Sequence, residues 1–138
     1  MNYKRLELAL IVVFGLCVVV LFTRYIWRVA RYERFSNQIA QADRVLVSDG
    51  GPKSLTITGE KVNEIIKAIA LAHQDSGHYR AKFSFVTSFY RGTNYLGGVD
   101  ICSRLFMANG HQYRAEDDAL KTLVVMPFMQ TVTSDEAN

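Results

Sequence analysis

The stretch from Leu6 to Trp27 limits every other choice open to this chain. Leu8 to Thr23 is sixteen residues without a charge, mostly Leu, Ile, Val and Phe, with only Ala9, Gly15 and Cys17 small. A core helix of a small domain carries one polar side; this segment is apolar all round, the pattern of a helix buried on every face. A helix rises ~1.5 Å per residue, so 22 residues reach about 33 Å, enough for a hydrocarbon core of roughly 30 Å. Glu7 and Arg24 are its charges, both near the ends, where such side chains reach the headgroups. The expectation is a basic flank over 1–5, a single transmembrane helix over 6–27, and a small domain tethered to the lipid bilayer.

A cleaved signal peptide would need small residues after the apolar run. The chain instead reads Thr-Arg-Tyr-Ile-Trp-Arg after Phe22, bulky and basic, which favours an uncleaved signal-anchor. The arginines Arg24, Arg28, Arg31 and Arg34 follow at helical spacing with Tyr25, Trp27 and Tyr32 among them. They read as a basic juxtamembrane helix over 28–42 with aromatics at the interface. The four arginines are candidate contacts to anionic lipid; a topology signal on a solvated helix face is the favoured account, since arginines are common beside any anchor. Positive charge counted on each side of the anchor leans slightly to a cytoplasmic domain.

Charge is placed unevenly. Residues 1–35 hold six Lys/Arg against two Glu, net +4, and residues 36–138 hold ten against eleven, net −1. The basic balance therefore belongs to the anchor, and no nucleic-acid partner is expected for the domain. Two cysteines, Cys17 in the apolar segment and Cys102 in the domain, make no disulfide framework.

The domain is expected over 43–129, room for one core. Residues 44–48 and 55–57 read as two strands joined by Asp49-Gly50-Gly51-Pro52, a sequence made for turning. Thr58 is a candidate N-cap for a helix whose Val62, Ile65, Ile66 and Ile69 share one face, ending near His73, with residues 74–77 as loop. Residues 81–91 alternate with period two: Phe83, Phe85, Thr87 and Phe89 on one face, Val86, Ser88 and Tyr90 on the other. Strands over 95–102, 105–107 and 111–114 follow, with Gly97-Gly98 marking a bulge or close backbone approach and Asn109-Gly110 a type I′ turn. A last helix is expected from Glu116 to Met126, stopped by Pro127, then a disordered tail over 130–138. The fold class is α+β: an antiparallel sheet in β-β-α-β-β-β-β-α order, two helices on one face.

No family signature and no catalytic constellation emerges. His73, Asp75 and His78 lack the spacing of a helical ligand pair, so no metal is assigned. Gly-Gly at 50–51 and at 97–98 opens no helix, so no phosphate cradle and no cofactor follow. Asp100, Cys102 and His111 are the alternative: a ligand or small-enzyme site between sheet and helix, although a neighbouring carboxylate raises a thiol pKa and so opposes a nucleophilic thiolate. The remaining cluster is Tyr79, Arg80, Tyr90, Arg91, Tyr95 and Arg114, at strand ends and one hairpin tip. Tyr and Arg are enriched in protein interfaces. The expectation is a non-enzymatic interaction module that holds an unidentified protein partner.

Overall fold

The structure is a computed structural model that describes residues 3–77 and 84–136, with side chains to 132. The chain forms two compact units, Met1–Tyr32 and Glu33–Asn138. The first is most of helix α1 (Tyr3–Ile39), whose apolar side chains stand outward, Phe14 at 72% exposure among them. This helix is long and apolar enough to cross a membrane.

The second unit begins inside α1. Phe35 and Ile39 are buried, so the last turns of the helix are part of the domain core, and the domain starts near residue 33 instead of 43. Among the described residues seven strands form one antiparallel sheet: β1 (Arg44–Ser48), β2 (Ser54–Thr58), β3 (His73–Gln74), β4 (Phe85–Arg91), β5 (Asn94–Cys102), β6 (Leu105–Ala108) and β7 (His111–Arg114). Their order is β2-β1-β4-β5-β6-β7-β3. The hairpin β1–β2 sets Val45 opposite Ile57, and β1 also pairs β4, setting Val45 opposite Phe89 and Val47 opposite Thr87. Period-two alternation then puts Val45, Val47, Phe85, Phe89, Val99, Ile101, Phe106 and Tyr113 on one buried face.

Helix α2 (Glu60–Ala70) follows β2 at one sheet edge and precedes β3 at the other, so this segment carries the chain across the whole sheet. Val62, Ile65, Ile66, Ala68 and Ile69 are buried. Each Val or Ile side chain so buried contributes about 1.5–3 kcal/mol. Thr58 does not cap this helix: it ends β2, and Gly59 is the N-cap with no side-chain hydrogen bond. The helix also stops at Ala70, short of His73, because His73 pairs with Arg114 on β7 as a two-residue edge strand.

Pro127 does not end the last helix. A π-helical turn (Lys121–Val125) leads into α3 (Met126–Glu136), with the Met126 N–H bonded to the Lys121 carbonyl five residues back. Proline lacks an N–H for the carbonyl four residues before it, and the widened turn accommodates this loss. Leu120, Val124 and Phe128 are buried, and the Phe128 ring lies 5.2 Å from that of Phe85. That burial carries the helix through the proline and on into the stretch whose composition points to a tail. At the β6–β7 hairpin Asn109 and Gly110 have φ of 52° and 76°, the positive pair that a type I′ turn requires.

Candidate functional site

The second sheet face is built by the residues that alternate with the core. Cross-strand pairing gives three rows: Arg44, Tyr90 and Tyr95; then Leu46, Ser88 and Gly98; then Ser48, Val86, Asp100, Met107 and Gln112. Val86 is 44% exposed, Met107 42% and Tyr95 59%. Large apolar groups so exposed on one face of a sheet are the informative observation, since a single exposed side chain is ordinary.

One end of this face is held in detail. The Tyr90 and Tyr95 rings meet edge to face at 5.6 Å, and the Arg44 guanidinium stands 5.1 Å from the Tyr90 ring centre. Both are favourable quadrupole geometries. Arg44 also donates to the Gly92 carbonyl at 2.9 Å, and Arg91 donates to Gln41 Oε1 at 3.0 Å. The Asp43 carboxylate accepts the Gly92 N–H at 2.9 Å, and the Asp43 N–H donates to the Tyr90 carbonyl at 2.9 Å. The β4–β5 turn is thereby tied to the chain leading into β1. Gly98 leaves room for Tyr95: a Cβ there would stand 2.9 Å from the Tyr95 hydroxyl. The register shift between Phe89 and Tyr90 sits beside the glycine pair, as the expected bulge.

Of the expected Tyr/Arg cluster, Tyr90 and Tyr95 come together, whereas Arg91 alternates to the other face of β4 and turns to Gln41. Tyr79 and Arg80 lie outside the described residues. Arg114 does not join them: it is on β7, three strands away, and its guanidinium binds Asp75 at 2.7 Å and 2.8 Å. Asp75 also accepts the Gly77 N–H at 2.8 Å. That backbone bond first, and then Arg114, hold its carboxyl below the usual carboxylate range. The pair clamps the β3 edge. Arg44 is the member that sequence reasoning missed. Its parity in Arg-Val-Leu-Val-Ser put it opposite Val45 and Val47, but only the pairing of β1 with β4 sets it over Tyr90.

Asp100, Cys102 and His111 do not converge. Asp100 and Cys102 share the outer face, and Asp100 lies opposite Met107, which lies opposite Gln112. His111 precedes Gln112 on the same strand and so points to the other face. His73 binds Glu116 at 2.9 Å, His78 is outside the described residues, and among the described residues no three His, Cys, Asp or Glu side chains gather. The arginines Arg24, Arg31 and Arg34 are exposed on α1, with Arg28 half-buried. A groove of about 480 Å³ lies elsewhere, along Leu55–Thr58, between the start of α2 and the Leu123–Pro127 segment. Compared with known protein families, characterised proteins and solved structures, the chain matches none.

Proposed function

We propose that this chain is a single-pass, membrane-tethered interaction module without catalytic activity. The apolar part of α1 crosses the bilayer, and Arg24, Arg28, Arg31 and Arg34 lie against anionic headgroups, each contributing ~1 kcal/mol near the surface. The sheet face opposite the helices binds a protein partner around Arg44, Tyr90 and Tyr95. The observation that supports this reading most is the ordered Arg44–Tyr90–Tyr95 row on the same sheet face as exposed Val86 and Met107. Rigid aromatics with a charge-bearing neighbour are the make-up of binding hot spots, and their order costs little further entropy on binding.

The test uses the full chain with a photo-crosslinking residue at Val86, in its native membranes. Tyr95→Ala should leave the melting temperature unchanged, since Tyr95 is 59% exposed. It should reduce the crosslinked adduct about tenfold or more, the effect of losing an anchor of ~2 kcal/mol. An adduct that persists undiminished in Tyr95→Ala and Tyr90→Ala would refute the sheet-face reading. Release of the full chain from membranes by carbonate would refute the spanning helix.

A further inference from the structure

The two edges of the sheet are treated differently. At one edge β3 has two residues and is fastened by the Asp75–Arg114 and His73–Glu116 pairs. That is a blunted edge of the kind that stops strand addition. At the other edge β2 presents Ser54-Leu55-Thr56-Ile57-Thr58, with no charge, proline or bulge within it. Among the described residues no strand pairs with its outer side. Four consecutive β2 residues line the 480 Å³ groove, so the strand's backbone edge borders the open space, and not merely one of its faces. Across the groove stand Leu123 and Pro127.

We propose that β2 is a self-pairing edge that joins two copies of this chain, antiparallel, about a two-fold axis through Thr56. In that register Leu55 of each copy lies opposite Ile57 of the other, and Ser54 opposite Thr58. Leu55 and Ile57 share the parity that faces the helices. The half-buried Leu55 of each copy thus enters the groove beside the other's Leu123 and Pro127. Charge is complementary at both ends. Lys53 falls opposite Gly59 and next to Glu60 of the other copy, twice by symmetry. Among the described residues Lys53 makes one 3.4 Å contact, to the Val132 carbonyl, a neutral partner that its ammonium can exchange for the new carboxylate. A two-fold interface of this kind satisfies the open backbone groups of both edges at once.

The register places the two Thr56 Cα atoms roughly 4.5–5.5 Å apart, within the span of a disulfide. The experiment uses the full chain in detergent micelles with Cys17 and Cys102 replaced by Ser, and with Thr56→Cys as the probe. Lys67→Cys, on the exposed side of α2, reports random collision. Under copper-phenanthroline oxidation Thr56→Cys should form covalent dimer at least about tenfold faster than Lys67→Cys, as expected of thiols held at high effective concentration. Lys53→Glu should abolish that advantage, and Lys53→Glu with Glu60→Lys should restore it. Crosslinking of Thr56→Cys no faster than of Lys67→Cys overturns the proposal, leaving the edge for a strand of some other protein. So does an advantage that neither charge change alters.

Discussion

The ring of Phe35 occupies the space that a side chain on Gly97 would need: a Cβ there would stand 2.9 Å from Phe35 Cε2 and 3.6 Å from Ile39 Cγ2. The end of α1 thus rests on β5 where the strand has no side chain. Gly97→Ala should destabilise the domain by about 1–3 kcal/mol through overpacking. Phe35→Leu in the same chain should recover part of that loss, because the two positions are in contact and their effects do not add. Urea denaturation of the two single variants and the double variant measures the coupling.

The same contact sets where the domain can be cut. A fragment of residues 33–138 should fold and unfold cooperatively. A fragment of residues 43–138 should not, because it loses Phe35, Ile39 and Ala42, at 8%, 0% and 9% exposure. Removing side chains of the first two kinds from a core costs about 2–5 kcal/mol each, comparable to the whole stability of a small domain. Near-ultraviolet circular dichroism of the two fragments distinguishes them.

Adjacent residues of β4 should respond in opposite ways. Phe85 is 9% exposed and packs on Phe128, whereas Val86 is 44% exposed on the other face. Phe85→Ala should cost about 3–5 kcal/mol, and Val86→Ala no more than ~0.5 kcal/mol. Thermal melts of both read the difference, and equal losses would mean that the sheet has a covered second face.

The Asp75–Arg114 clamp should weaken in acid. The Asp75 carboxyl is held below its ordinary 3.8 by the Gly77 N–H and by Arg114. A depressed folded-state pKa contributes stability that is fully present above the unfolded value and is lost as pH falls through the folded one. Asp75→Asn should therefore be less stable than the parent near neutral pH. The gap between them should close as pH falls below 3.8. Hydrogen exchange at His73 and Gln74 should report the loosening of the edge first, because two residues are all that β3 contributes.

Local pattern determined much of this protein. The apolar run over 8–22 gives a helix whatever surrounds it, since it holds no charged, hydroxyl or amide side chain to offer the backbone another partner. Alternation over 85–91 separates Phe85, Thr87 and Phe89 from Val86, Ser88 and Tyr90, and the structure keeps that division. Val62, Ile65, Ile66 and Ile69 form the buried stripe of α2, and Asn109-Gly110 turns as its positive φ values require. These are short-range effects, settled by residues within a few positions of one another.

Contacts distant in sequence decided the rest. His73 and Gln74 become a strand only because β7 lies beside them, 41 residues on at the His73–Arg114 pair. The last helix passes Pro127 because Phe128 finds Phe85, and that burial outweighs one lost hydrogen bond. Phe35 and Ile39 read as a helix leaving an anchor, yet they are core, because Gly97 opens a place for them. At the candidate site, Tyr90 and Tyr95 were legible as neighbours across one hairpin. Arg44 joined them and Arg114 left them through strand order, which no local pattern encodes: the register of β1 on β4 sets one arginine over a tyrosine ring, while the β7 edge gives the other a carboxylate.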